Sequence, residues 1–262
     1  MQECRVRTMY RNNVSAVFPR QPTCDLRAEI MSAGMLNTEN EILAMLKESD
    51  RDWVFSRGTL EGAPVKRMFV QPDKPLTDVY FIEAGLASMV IRMSDNSTVE
   101  VGAIGREGLV GLQVFLGADF GGVEVFQQVS GAVRVLPVHD FRELLERSSE
   151  LRAAMSDFTL GLIRQMTMAV ACNRLHPVDQ RLARWLLMVR DRVQSDEFDL
   201  KQEFLAEMLG VRRPGVSIAA SMLRRSGLIR YSRGRIRIID PERLEAAACE
   251  CYGALRRNKK SA

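Results

Sequence analysis

The chain has 262 residues, is 46% hydrophobic and carries a formal net charge of +4, enough for two ordinary cores. No apolar run approaches the roughly 18 residues that a membrane helix needs, and the N-terminus lacks a contiguous apolar signal core, which predicts a cytoplasmic protein with no membrane partner. Five cysteines (Cys4, Cys24, Cys172, Cys249, Cys251) are an odd and scattered set, which argues against a disulfide framework. Cys249-Glu250-Cys251 is too tight for a zinc knuckle and no histidine follows it. With only His139 and His176 in the chain, no metal or cofactor site is expected. Phosphate loops, nucleophile elbows and His-bearing metal motifs are missing, so the chain does not read as an enzyme.

In chain order, residues 1–36 show no sustained period and contain Asn12-Asn13, Pro19 and Pro22, a loosely ordered arm. Residues 39–53 read as one helix with Ile42, Leu43, Leu46 and Trp53 inward. Residues 57–137 alternate in short strands broken by turns, with Asp95-Asn96 at a hairpin tip, the cadence of a sandwich or barrel. A short helix covers residues 140–147. Across residues 151–175, Leu151, Met155, Phe158, Leu162, Gln165, Ala169 and Cys172 step by fours and threes as a heptad seam. Packing on the chain's own barrel would explain that seam. The favoured expectation puts the opposite face on the barrel and the seam, through Leu151, Met155, Phe158 and Leu162, against a second subunit. Residues 177–193 form another helix with Leu182, Trp185, Leu186 and Val189 on one face.

Charge then separates the two halves. From His176 onward there are 18 Lys and Arg against 11 Asp and Glu, whereas the first 175 residues hold 19 against 22. Residues 211–238, VRRPGVSIAASMLRRSGLIRYSRGRIRI, contain eight arginines and no Asp, Glu or Lys. They follow an amphipathic helix with Asp199 as its expected N-cap and Gly210 at its end. Pro214 fits only the first turn of the next helix, which turns Val216, Ala219, Ala220 and Leu223 inward and leaves Ile218 facing out. LIRY and RIRI alternate around Ser232-Arg233-Gly234 as a hairpin wing. A solvated surface is the bland explanation, since arginine outnumbers lysine 31 to 6, but such surfaces mix signs and this one excludes acids. The layout suits DNA, with Arg212, Arg213, Ser217 and Ser221 facing the groove and Arg225, Arg233 and Arg235 on phosphates.

The order of a strand-rich module, a long connecting helix and a C-terminal winged helix resembles the superfamily of the cyclic-AMP receptor protein and the fumarate–nitrate regulator (Crp/Fnr). The resemblance rests on VYFIEAGLASMVIRM, GREGLVGL, HPVDQRLARWLL and FLAEMLGVRRPGVSIAASMLRRSGLIRYSRGRIRIID. It implies an α+β fold: a cyclic-nucleotide-binding-like β-barrel (jelly roll) over residues 37–147, a dimerisation helix over 148–175 and a winged helix-turn-helix over 176–262. It also implies a homodimer on an inverted repeat in promoter DNA, with RNA polymerase as a further partner and Arg213 reading a guanine. This sequence departs from the cyclic-nucleotide binders of that family. Leu109 stands where their ribose-binding glutamate belongs, Gly121-Gly122 about where their Arg-Ser pair lies, and no side chain in residues 108–127 is basic. A buried phosphate without a cation is costly, so cyclic AMP and cyclic GMP are not the expected ligands unless Arg92 or Arg134 completes the site. Cys4 and Cys24 lack the companions of an iron–sulfur cluster. The competing class is a small-molecule sensing module that acts mainly through protein partners.

Overall fold

The structure is a computed structural model that describes residues 38–259; the expected arm over residues 1–36, with Cys4 and Cys24, lies outside them. The expected first helix is two helices, α1 (Glu41–Ala44) and α2 (Glu48–Arg57). Asn40 pins the start of α1: its amide donates to the carbonyls of Ile82 and Gly108 while its oxygen caps Leu43 N–H. Extended backbone at Lys47 separates the two helices, and Leu46 before it and Val54 after it are both buried. Trp53 is half-buried rather than core, its ring lying under Arg57 and Arg147.

The strand region forms one antiparallel sheet of β1 (Thr59–Ala63), β2 (Met68–Val70), β3 (Asp78–Arg92), β4 (Thr98–Ile104), β5 (Leu109–Val110) and β6 (Glu124–Pro137). The two long strands β3 and β6 pair along their length, and each is flanked by two short ones. β4 pairs with the C-terminal half of β3 and β5 with its N-terminal half; β1 and β2 divide β6 in the same way. Register shifts between Ile82 and Ala87 bend the central pair. Asn96, in the left-handed region at φ 63°, sits in the turn joining β3 to β4, as expected. A single helical turn, α3 (Leu112–Phe115), leads toward β6, and α4 (Val138–Arg147) follows it.

The long helix α5 (Ser149–Leu175) carries the main correction. Leu151, Met155, Phe158 and Leu162 are at most 9% exposed and belong to the same core as the barrel strands. The seam is therefore consumed within its own chain. Gly108 makes the fit possible: a Cβ there would lie 2.1 Å from the Phe158 ring. Gln165 continues the contact, donating to the Ala103 carbonyl at 3.0 Å. The face left exposed carries Leu160, Ile163, Thr167 and Val170, which also repeats with heptad spacing.

α6 (Val178–Val193) buries Leu182, Trp185, Leu186 and Val189, as expected, and returns the chain toward the barrel. Trp185 Nε1 donates to Glu100 of β4 at 2.9 Å, and the Ser88 hydroxyl donates to the other oxygen of the same carboxylate at 2.7 Å. Burial pushes the Glu100 carboxyl up, against the pull of those two donors. The second core gathers α6, the C-terminal elements and four barrel residues, Leu86, Val90, Ala103 and Val129. The fold is thus α+β, with an antiparallel barrel-like module before a helical one.

Candidate nucleic-acid interface

The C-terminal module is built from β7 (Glu197–Asp199), α7 (Gln202–Leu209), α8 (Arg213–Arg225), β8 (Ile229–Ser232), β9 (Arg235–Ile238), α9 (Pro241–Ala247) and α10 (Cys251–Lys259). α7 ends in a left-handed Gly210 at φ 59°. Gly210 N–H bonds the Glu207 carbonyl and Val211 N–H the Ala206 carbonyl, the paired pattern of a Schellman stop. α8 begins at once, with Pro214 in its first turn where a missing N–H leaves no bond unmade. Val216, Ala219, Ala220 and Leu223 are all buried, and the two alanines let α8 approach α6 and α7 closely. A second Schellman stop at Gly227 sends the chain into the wing. Arg233 and Gly234, both at positive φ, make the two-residue turn between β8 and β9.

Two details of this unit were not anticipated. Asp199 does not cap α7, whose N-cap is Lys201 without a side-chain bond. Instead β7 adds a third strand beside β9, and this register sets Asp199 opposite Arg235. The Asp199 carboxylate accepts from Arg235 Nε at 2.9 Å, with Glu197 3.5 Å from the same guanidinium, and these hydrogen bonds and charges raise the pKa of Arg235 above its ordinary value. A three-residue strand such as β7 carries too little pattern to be read from sequence.

The groove-facing candidates lie along one side of α8. Arg212 and Arg213 are exposed at its N-terminal end, and Ser217 and Ser221 are half-buried further along. Ser217 donates to the Gln202 side chain of α7 at 3.1 Å, and Arg213 lies 3.9 Å from Glu203, a loose pair between two exposed groups. Ile218 is 63% exposed, and Met222, one turn on, is 41% exposed; the sequence reading did not single out Met222, although its spacing from Ile218 puts it on the same face. Arg225 and Arg233 are exposed, and Arg235 is partly covered by its carboxylates. Across the wing Arg230 stands directly opposite Arg237, a like-charge pair that destabilises a hairpin lacking a counter-ion. Among the described residues no ion pair reaches Arg212, Arg224, Arg225, Arg230, Arg233 or Arg237. Beneath them Tyr231 anchors the wing, donating to the Leu200 carbonyl at 3.0 Å, and burial pushes its hydroxyl up to about 12.

The barrel has a different concavity. A cavity of about 230 Å³ lies between the sheet and α5, lined by residues such as Met89, Ile104, Val110, Leu116, Leu162 and Met166. Among the described residues no charged side chain lines it, and its polar side chains are Gln113 and Thr159. Leu109 is fully buried in β5. Neither arginine considered for completing an anion site is available. Arg92 is bound through two nitrogens to Glu124, and Arg134 is buried against Glu83 with its guanidinium 4.1 Å from the Phe55 ring centroid.

Comparison with known proteins agrees with this architecture. Residues 180–247 match the Crp-like helix-turn-helix domain family. No curated protein matches the chain significantly. Among solved structures it is similar to FixK2 from Bradyrhizobium japonicum, at 16% identity and TM-score 0.63 over 73% of this chain and 98% of that one. A CRP-family transcriptional regulator from Thermus thermophilus aligns at 19% identity and TM-score 0.62, covering 72% and 96% of the two chains. The c-di-GMP-responsive global regulator CLP of Xanthomonas campestris aligns at 14% identity and TM-score 0.60, covering 74% and 100%. The chain therefore carries a Crp-like helix-turn-helix domain at its C-terminal end. As a whole it has the fold of the Crp/Fnr regulators, with a cyclic-nucleotide-binding-like module in front.

Proposed function

We propose that this protein is a cytoplasmic, homodimeric transcription regulator that binds an inverted repeat in promoter DNA through α8 and its wing and performs no catalysis. The observation that carries the reading is the exposed arginine face on α8, β8 and β9, in which six guanidiniums have no carboxylate partner among the described residues. Unneutralised cations on a helix-turn-helix and a hairpin are what a phosphate backbone completes. Arg212, Arg213, Ser217 and Ser221 read base edges; Arg225 and Arg233 hold phosphates, with Arg235 a weaker contact because Asp199 already engages it. Ile218 and Met222 press on apolar base edges such as a thymine methyl. On this reading residues 37–147 sense the signal, 148–175 link the subunits and 176–262 bind DNA, with RNA polymerase as a further partner.

The outward face of α5 supports the dimeric part of this reading. Leu160, Ile163 and Val170 are 46–73% exposed on one heptad stripe, and pairing that stripe with its symmetry mate removes an apolar surface from water. Replacing Ile163 and Val170 with Asp should give a folded monomer by sedimentation; an intact dimer would move the interface elsewhere. Selection of bound DNA from a random pool tests the whole reading. Recovery of a palindromic site supports it, and recovery of no enriched sequence at low salt rejects it.

A further inference from the structure

The end of α5 meets the corner between α9 and α10 at a point that neither the barrel cavity nor the arginine face uses. Cys172 lies in the last turn of α5 and His176 four residues on, at its C-cap, so both project to the same side. Cys249 lies in the turn after α9, and Cys251 opens α10. One ligating atom from each of these four residues lies within 4.8 Å of all the others. Cys172 Sγ is 3.5 Å from Cys249 Sγ, and Cys251 Sγ is 3.6 Å from His176 Nδ1. Zn–S bonds of about 2.3 Å imply ligand separations of about 3.8 Å around a tetrahedron, so the group needs only small shifts to close on one ion.

Two independent features belong to a metal site rather than to simple packing. His176 Nε2 is 3.2 Å from Glu250 Oε1, so a carboxylate orients the ring from behind while Nδ1 faces the thiols, the usual support of a metal-bound histidine. Charge is the second feature. Arg181 and Arg184 are each 6% exposed, neither is in an ion pair among the described residues, and the Nε of each has no partner. Three thiolates and a neutral imidazole around a divalent ion leave one net negative charge, which offsets buried guanidinium charge that no ion pair among the described residues neutralises.

We infer that Cys172, His176, Cys249 and Cys251 form a closed, four-ligand site for a thiolate-preferring divalent metal of the zinc type, which clamps the C-terminal end of α5 to the far side of the DNA-binding module. Binding releases the thiol protons to solvent, and the three buried sulfurs leave no open position for catalysis. The clamp spans the α5–α6 junction at His176-Pro177, where the long helix hands over to the module that bears the arginines.

The test uses the full chain, purified under reducing conditions, equilibrated with Zn²⁺, freed of excess ion and assayed by elemental mass spectrometry, with Co²⁺ as the optical probe. About one ion per chain is expected, with Co²⁺ giving thiolate charge-transfer absorption and the intense visible bands of a tetrahedral centre. Cys249→Ser should lose the retained ion. His176→Cys should keep it with stronger charge-transfer absorption, which guards against a variant that simply misfolds. A Cys4→Ser, Cys24→Ser double variant should bind as the parent does. A folded parent that retains no Zn²⁺ overturns the site. So does an ion lost from the Cys4/Cys24 variant but kept by Cys249→Ser, or a metal-free chain whose thiols are found as a Cys172–Cys249 disulfide.

Discussion

The barrel and the C-terminal module use the same residue for opposite ends. In the barrel Arg57, Arg67, Arg92, Arg106, Arg134, Arg142 and Arg147 each meet a carboxylate, from Asp140, Glu61, Glu124, Glu39, Glu83, Asp119 and Asp50 in turn. On α8 and the wing only Arg213 and Arg235 have such a partner among the described residues, and the pair at Arg213 is loose. A chain-wide preference for arginine over lysine would populate both regions. It would not leave one region mostly paired and the other mostly without carboxylate partners among the described residues. Exposure alone does not mark a binding surface; the absence of internal counter-charge does.

Arginine replacements can break that contrast. The largest effect is expected at Arg134, buried beside Glu83, whose carboxylate also accepts from Thr38 and from the Glu39 and Asn40 N–H groups. Arg134→Ala leaves that buried carboxylate without its guanidinium counter-charge and should cost about 3–5 kcal/mol in urea unfolding, with DNA affinity per folded molecule unchanged. A cost under about 1 kcal/mol would class the pair with ordinary surface bridges. Arg213→Ala should reverse the pattern: folding is unaffected, while binding to a selected site weakens by about 1–3 kcal/mol and binding to random DNA by much less. Equal losses on both kinds of DNA would make Arg213 a phosphate contact.

The wing sharpens the comparison, because it holds a paired and an unpaired arginine two residues apart. Arg233→Ala should reduce the dependence of log affinity on log salt by about one, whatever the DNA sequence. Arg235→Ala should reduce it by less, since Asp199 and Glu197 already neutralise that guanidinium. Equal changes in slope would show that the carboxylates release Arg235 when DNA arrives. The smallest effect is expected at Glu100. Its carboxyl is raised from the ordinary 4.5 by burial, so the native state keeps a proton where the unfolded chain has lost it. That stabilisation is complete below the ordinary value and lost as pH rises through the raised one. Glu100→Gln keeps an acceptor for Trp185 and does not titrate. It should match the parent in acid and exceed it in stability as pH rises toward neutral. Parallel melting curves across pH would remove Glu100 as the titrating group.

The cavity adds a prediction by its lack of charge. Calorimetry with cyclic AMP or cyclic GMP should find no binding tighter than about 1 mM. Micromolar affinity would require Arg92 or Arg134 to leave its carboxylate.

What the sequence by itself determined is everything that short-range chemistry controls. Gly210, Pro214 and Gly227 punctuate the helix-turn-helix because only those backbones fit those positions, and the buried stripe from Val216 to Leu223 follows from the helical period. The strand cadence of residues 57–137 was legible for the same reason. Tertiary structure decided which face of α5 meets the barrel. Both its seam and the stripe through Leu160, Ile163 and Val170 are apolar at heptad spacing on different sides of the helix, and periodicity cannot rank two such faces. The notch at Gly108 that admits Phe158 ranks them. Tertiary structure also broke the first helix at Lys47 and drew Asp199 into a strand. It brought Cys172 and His176 to Cys249 and Cys251 across more than seventy residues, where no local spacing could announce that they meet. Local signals set the conformation of each segment; the long-range neighbours of a side chain are fixed only when the segments pack.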